Sequence, residues 1–437
     1  MEMIMITAPS SGMGKTLITL GIIRALKKRQ CNVSGFKTGP DFIDTRYIAE
    51  ASGKRAGNLD MHLLGTNGVK KAIAMNKGDI SIAEGAMGYF DGMGSGFENS
   101  GYDISKLLDI NAILVYTPKG EMFSAIPKIK GMVDFSGSRI RGVILNKVSR
   151  AMYALLKEKI EEYIDVKVLG YVEEDKALEI ESRHLGLIQS IETSDANKII
   201  EKAAENIEKN INLEEIIRLC RRVELPEYIY PGRRDIRVAI AYDKAFSFYY
   251  GENLNLFENT CRVEYFSPIE DRKLPQCDLL YLGGGYPEIY KEELSANYEM
   301  RKAVKDKAEG GGFIYAEAGG LMYLAGSIEQ SPMCGVFKGK SAMTDRLQRF
   351  GYVNIELGED CSLGRKGDLI KGQEFHKSIA EINEKEIFNI KKPMGRGEWK
   401  CGYKYKNALA AYPHINFLGN MKAFNHLLDT IEKEYSE

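Results

Sequence analysis

Residues 4–16 read Ile-Met-Ile-Thr-Ala-Pro-Ser-Ser-Gly-Met-Gly-Lys-Thr. An apolar strand runs straight into a loop of small residues ending in Gly14-Lys15-Thr16, and Leu17–Leu26 follow with helical spacing. Strand, glycine-containing loop and helix N-terminus together form a phosphate-binding arrangement. Backbone N–H groups at the start of a helix surround anionic oxygens. In that arrangement Gly12 and Gly14 shape the loop, Lys15 reaches the outer phosphates of a nucleotide and the Thr16 hydroxyl holds Mg²⁺. The usual loop has glycine five residues before Gly14, where this chain has Pro9. A tight turn needing Gly12 and Gly14 only for their backbone angles is the plainer alternative.

Outward from this loop, short apolar stretches alternate with amphipathic ones. Strands are expected at Met3–Thr7, Cys31–Phe36, Asp79–Glu84, Ala112–Tyr116, Gly142–Asn146 and Val166–Val172, with helices such as Thr16–Arg29 and Ala151–Tyr163 between them. Such alternation predicts an α/β domain, a parallel sheet covered on both faces. Ligands of these sheets bind beyond the carboxyl ends of the strands. The loop after the second strand carries Lys37, Asp41 and Asp44, and that after the third carries Glu84 and Asp91. An enzyme using a nucleoside triphosphate needs carboxylates for Mg²⁺ and cations for developing phosphoryl charge. Taken singly, Asp41 beside Pro40 and Asp91 beside Gly92 also suit ordinary turns.

The bulk numbers narrow the class. A chain of 437 residues exceeds the size at which one core splits into domains. Its 44% hydrophobic and 28% charged residues are ordinary for a globular protein. A formal net charge of −1 argues against nucleic acid or an anionic membrane as a general partner. No apolar run approaches the roughly 18 residues that span a bilayer. The start, Met-Glu-Met, lacks the basic and apolar regions of a secretory signal. Seven cysteines without a C-x-x-C pair fit reduced thiols and a cytoplasmic location.

Residues 192–235 change character: a charged helical pattern over Ser194–Cys220 precedes Pro226, Pro231 and Gly232. We read 1–191 as one domain, 192–235 as a helix and linker, and 236–437 as a second α/β domain. The second domain opens with strands expected at Arg237–Tyr242, Arg262–Tyr265, Leu279–Leu282 and Gly312–Tyr315. Leu282 leads into Gly283-Gly284-Gly285-Tyr286-Pro287-Glu288. Phe313-Ile314-Tyr315-Ala316-Glu317-Ala318-Gly319-Gly320 has the form of a nucleophile elbow. There, small residues let one side chain project from a sharp turn while nearby backbone N–H groups hold an oxyanion. The tip should be Cys or Ser, but it is Ala318, which has no nucleophilic atom. His414, in Tyr412-Pro413-His414, is a candidate base for the elbow.

These segments together resemble the cobyrinate a,c-diamide synthase family along nearly the whole chain. The matching stretches are Ser10–Thr16, Gly39–Asp44, Glu84–Gly88, Ser182–Leu187, Ala245–Tyr250, Gly283–Glu288, Arg346–Tyr352 and Gly372–His376. The resemblance implies two mostly parallel, helix-covered sheets. The first is a P-loop NTPase-like domain similar to dethiobiotin synthetase, the second a flavodoxin-like class I glutamine amidotransferase domain. It implies ATP-dependent amidation of the a and c acetate side chains of cobyrinate through an acyl phosphate, with Mg²⁺. A close branch amidates nickel sirohydrochlorin. By the same resemblance Glu84 is a second metal ligand, Lys37 stabilises the phosphoryl group, and Asp41 and Asp91 handle the carboxylate or its phosphorylated form. Gly284 and Gly285 lie where the glutamine carbonyl is held. A homodimer is an assembly left open.

The family motif at the elbow is Glu-Cys-Gly-Gly, whose Cys forms a glutamyl thioester; this chain has Glu317-Ala318-Gly319-Gly320. Asn416 also departs from the family, which often has His there. Two origins fit Ala318 equally: a cysteine exchanged to trap glutamine, or a native chain without glutaminase activity. Free ammonia is then the expected nitrogen source. The readings set against amidation are a nucleotide-dependent switch related to partitioning ATPases and a tetrapyrrole-binding protein without catalysis.

Overall fold

The computed structural model describes residues 1–175, 178, 182–183, 186–187, 195–395 and 397–436. His184 and Leu185 of the Ser182–Leu187 motif, and the expected boundary at 191/192, lie outside the described residues. The chain forms two compact units, Met1–Tyr228 and Ile229–Glu437.

The first unit is built on seven parallel strands: β1 (Glu2–Thr7), β2 (Val33–Thr38), β3 (Gly57–Leu59), β4 (Ile80–Glu84), β5 (Asn111–Tyr116), β6 (Ile140–Asn146) and β7 (Lys167–Val172). Their order is β3-β2-β4-β1-β5-β6-β7. Met3, Ile4, Met5 and Ile6 of β1 have no exposed surface, as expected of a central strand covered on both faces. This strand order makes β2, β4 and β1 neighbours, so the loops leaving them converge at one edge. Register sharpens the convergence, since Glu84 stands beside Ile6 on one side and Lys37 on the other.

Helix α1 (Lys15–Lys28) begins directly after the glycine loop. The charged pattern after residue 192 contains a helix, Ala196–Asn210, that packs on α1 within the first unit. The approach is close at Gly21, where an added Cβ would stand 2.7 Å from Ile207 and 3.1 Å from the Ala203 carbonyl. Arg24 of α1 pairs with Glu201 across the same seam. This helix therefore serves as a cover for the sheet, and the break between units falls after Tyr228.

The second unit has a ten-stranded sheet. Strands Arg262–Phe266, Arg237–Ala241, Leu279–Leu282, Phe313–Glu317 and Ala408–Ala411 are neighbours in that order and run parallel. Beyond Ala408–Ala411 the sheet turns antiparallel through Glu398–Tyr405, Glu386–Lys391, Arg349–Leu357, Leu369–His376 and His414–Ile415. Only Tyr412 and Pro413 separate Ala408–Ala411 from His414–Ile415, so the path curls back on itself. The second sheet is thus mixed, with its parallel part at the elbow and an antiparallel part beside it. No helix among the described residues is long and apolar enough to cross a membrane.

Candidate active sites

In the first unit the expected loop takes the expected shape. Gly14 caps α1 at φ 87° and Gly12 has φ 77°, both left-handed values that suit glycine. A Cβ on Gly14 would stand 2.3 Å from Asn146 Nδ2. Asn146, at the end of β6, donates to the Met13 carbonyl at 2.9 Å, and Thr117 Oγ1 donates to the same carbonyl at 3.0 Å. These two braces were not picked out from the sequence, and their signal is positional: each ends or follows a strand at the ligand-binding edge.

Lys15, Thr16, Lys37, Asp41, Asp44 and Glu84 come together here. Thr16 Oγ1 donates to Glu84 Oε1 at 2.7 Å. Lys37 Nζ bridges Glu84 Oε1 at 2.8 Å and Asp44 Oδ2 at 2.5 Å. Asp41 Oδ1 accepts the Asp44 amide at 2.7 Å, and Asn58 Nδ2 holds the Gly39 and Asp41 carbonyls at 2.8 and 2.9 Å. Lys15 Nζ donates to the carbonyls of Ser10 and Met87, 3.2 and 2.5 Å away. Asp91 is exposed and its Oδ2 accepts the Gly88 amide at 2.9 Å, shaping the turn that presents the Met87 carbonyl.

Burial dominates the electrostatics. It pulls the Lys15 pKa down to about 8, with the nearby Lys37 charge adding to the effect. Burial opposes the charge on Lys37 as well, but Asp44 and Glu84 outweigh it and hold this lysine above its ordinary value. Burial and the neighbouring Asp44 push Asp41 up to about 7. Burial also raises Glu84, against the pull of Lys37. Glu84 Oε2 is buried and has no partner among the described residues. A buried carboxylate oxygen without a partner is costly. Set beside a threonine hydroxyl, it supplies the hard oxygen donors that Mg²⁺ takes. Thr16 and Glu84 therefore fit the metal expected of them.

In the second unit, strand Phe313–Glu317 turns into helix Gly319–Leu324 through Ala318, whose φ of 44° and ψ of −101° are disfavoured for any L-residue. Backbone strain of this kind costs about 1–3 kcal/mol. The surroundings require small residues: a Cβ on Gly320 would stand 2.3 Å from the Leu282 carbonyl, and one on Gly319 3.2 Å from the Gly285 amide. His414 is buried, and its imidazole edge lies against Gly284, where a Cβ would stand 2.4 Å from Cε1 and 3.1 Å from Nε2.

A functional residue that the sequence did not single out is Glu317. Its side chain is 1% exposed. Oε2 lies 3.3 Å from His414 Nδ1 and accepts from Tyr281 at 3.2 Å, while Oε1 accepts the Tyr315 hydroxyl at 2.6 Å and the Ile415 amide at 3.1 Å. This carboxylate sits at Nδ1 and orients the ring, whose Cε1–Nε2 edge lies against Gly284. Asn416 has other work: it donates to Glu252 at 3.2 Å and accepts the Leu418 amide at 3.1 Å.

Comparison with known proteins finds a match for each unit. Residues 4–188 match the CobQ/CobB/MinD/ParA nucleotide binding domain family, and residues 237–422 match the CobB/CobQ-like glutamine amidotransferase domain family. The chain is 43% identical to a cobyrinate a,c-diamide synthase of Clostridium tetani, covering 98% of this chain and 100% of that one. The chain belongs to the cobyrinate a,c-diamide synthase family. A Clostridium acetobutylicum member is also 43% identical, with 98% and 100% covered. A Listeria monocytogenes member is 40% identical, with 99% and 100% covered. Among solved structures, Aquifex aeolicus MinD aligns at 16% identity and a TM-score of 0.34, covering 52% of this chain and 100% of that one.

The elbow of this chain has no nucleophile. It keeps the strained turn, the glycines and the histidine but carries a methyl group at the tip. Cys334 does not replace the missing thiolate, because burial pushes its thiol up to about 12.

Proposed function

We propose that this protein is an ATP-dependent amidoligase acting on the a and c acetate side chains of cobyrinate, with ammonia as its nitrogen source. The observation that supports this most is the cluster at the phosphate loop, where Glu84 meets Thr16 at 2.7 Å and Lys37 at 2.8 Å and keeps one oxygen free of partners among the described residues. A nucleotide switch needs the loop but not this set of acids and lysines.

A carboxylate is a poor electrophile, so it is first activated. A carboxylate oxygen bonds to the γ-phosphorus of ATP as the bond to the β-phosphate oxygen breaks, releasing ADP. Ammonia then attacks the acyl carbon, phosphate leaves, and the nitrogen loses a proton. The loop amides and Lys15 hold the outer phosphates. Thr16 and Glu84 would hold Mg²⁺, which neutralises phosphate charge when bound. Lys37 is placed to meet the transferring phosphoryl group. Asp41 and Asp91 lie farther out on their loops, where we assign them to the acetate and its phosphorylated form. In the second unit we assign glutamine to the elbow at Ala318, beside His414 and Gly284–Gly285, where it would bind without being cleaved, since no thiolate is present to form the acyl intermediate.

Product mass after incubation with ATP, Mg²⁺, ammonium and either cobyrinate or nickel sirohydrochlorin tests the proposal. A gain of two amides on cobyrinate supports it. Amidation of nickel sirohydrochlorin alone reassigns the ring, and tight tetrapyrrole binding without ATP turnover refutes catalysis.

A further inference from the structure

One motif of the second unit has no part in the sites described so far: Ala245-Phe246-Ser247-Phe248-Tyr249-Tyr250. It follows strand Arg237–Ala241, whose parallel neighbour Leu279–Leu282 leads into Gly283-Gly284-Gly285. Loops that leave neighbouring parallel strands emerge at one edge of the sheet. Here they are joined.

The joint is made at a single carbonyl. The amides of Ser247 and Phe248 both donate to the Gly284 oxygen, each at 3.0 Å. A trans peptide is planar, and its C=O and N–H point to opposite sides. Two donors on the Gly284 oxygen therefore turn the Gly285 N–H away from residues 247 and 248. Gly285 N lies 3.2 Å from where a Cβ on Gly319 would stand, beside the tip of the elbow. This N–H has no acceptor among the described residues. A backbone donor left open beside a strained elbow is available to a ligand oxygen.

Tyr249 secures the other end of the same loop. Its hydroxyl donates to the Ala241 carbonyl and accepts the Gly283 amide at 2.8 Å. Its ring lies so close to Gly283 that a Cβ there would overlap it. The ring also meets Tyr281 edge to face, with centroids 5.1 Å apart. Asp243 shapes the turn that carries the two amides. This buried carboxylate accepts the Ala245 and Phe246 amides at 2.8 and 3.1 Å through Oδ1. Through Oδ2 it accepts the Ser267 hydroxyl at 2.8 Å and the Ile269 amide at 3.0 Å. Glycine peptides turn over at little steric cost. Turned over, this one would present the Gly284 oxygen to the elbow, where it would repel the negative charge of an acyl-transfer intermediate.

We propose that residues 243–250 clamp the Gly284–Gly285 peptide with its N–H toward the elbow, and that Tyr249 is a positioning residue for the carbonyl of glutamine. The proposal rests on the glutamine assignment above. NMR of the full chain labelled with ¹⁵N-glycine reads the Gly283 and Gly285 amides, and calorimetry gives the glutamine Kd. In the parent, glutamine should shift the Gly285 amide and slow its exchange. Tyr249→Phe keeps the ring and removes the hydroxyl. It should speed exchange of the Gly283 amide about tenfold, raise the glutamine Kd about threefold, the size of a weakened hydrogen bond, and diminish the Gly285 shift. Tyr265→Phe removes a hydroxyl bonded to Glu258 at 2.6 Å elsewhere in the unit and should match the parent in all three readings. Should Tyr249→Phe fold poorly, Asp243→Asn loosens the clamp from its other end, and the same loss of the Gly285 shift is expected. A parent-like Gly285 shift and Kd in the clamp variants overturn the proposal and leave the glutamine assignment standing. A parent that binds no glutamine overturns that assignment and, with it, the role given to Tyr249. The amidation reading of the first unit stands in either case.

Discussion

Each unit places a strand-to-helix turn at the end of a parallel strand, and the two turns differ in where their chemistry resides. At Gly12–Thr16 the backbone is relaxed by glycine and the side chains of Lys15 and Thr16 carry the function, joined by Glu84 and Lys37 from neighbouring strands. At Glu317–Gly320 the backbone is strained at Ala318, and the side chain that would justify the strain is a methyl group. What the second turn retains is its surroundings: the Gly285 amide nearby, His414 against Gly284, and Glu317 behind His414. A phosphate site is distributed over many groups, whereas a covalent site depends on one atom. Loss of that atom removes hydrolysis while leaving the binding geometry in place.

The largest expected effect tests this contrast directly. The chain should release no glutamate from glutamine, and Ala318→Cys should create glutaminase activity with His414 as base. Glutamate release by the parent would reveal another nucleophile, and an inactive cysteine variant would show that the surroundings are structural only. In the cysteine background, Glu317→Gln should lower the rate by about 10²–10⁴-fold, as when a histidine loses the carboxylate that orients it. Histidine NMR of the parent and its Glu317→Gln variant, which should differ in the His414 tautomer, separates orientation from general damage.

On the phosphate side, Lys15→Ala should reduce amidation by roughly 10²–10⁴-fold with ammonium, because preorganised charge is lost at the phosphates. Wild-type turnover in that variant would end the assignment. The acids should divide by depth. Glu84→Gln should weaken Mg²⁺-ATP use, while Asp41→Asn and Asp91→Asn should keep ATP binding and let singly amidated product accumulate. ATP titration and product mass distinguish these outcomes, and equal ATP defects in all three variants would erase the division.

The smallest effects are in pH. Lys15, at about 8 against an ordinary 10.5, leaves the folded chain with fewer protons than the unfolded one between those values. Its contribution to stability therefore rises with pH across that window. ATP favours the charged lysine, so binding above pH 8 should take up a proton, seen by calorimetry in buffers of different ionisation enthalpy. Asp41 has the opposite sign. At about 7 against 3.8, it makes the folded chain hold the extra proton, and stability falls as pH rises between these values. Asp41→Asn should flatten that fall in melting temperature.

Much of the first unit was legible in the sequence because buried parallel strands are short apolar runs and glycine loops punctuate them. All six strands expected there are present within two residues at either end, and the additions include β3, three residues long, and Arg221–Arg222, which pairs antiparallel with β1. The antiparallel half of the second sheet was not read as such. Its strands alternate weakly, and its closure depends on pairing Leu369–His376 with His414–Ile415. The chain order of Glu317 and Ala318 was visible, but the contact of Glu317 with a histidine 97 residues away was not.

By itself, the sequence determined the phosphate loop, the alternation of strands and helices, the family, and the absence of a nucleophile at residue 318, because each is a property of local spacing or of a single residue. The tertiary structure decided which strands are neighbours. That ordering brings Lys37 and Thr16 to Glu84, sets Glu317 behind His414 and lays Phe248 against Gly284. Sheet order is settled by the packing of distant segments, and no local pattern encodes it.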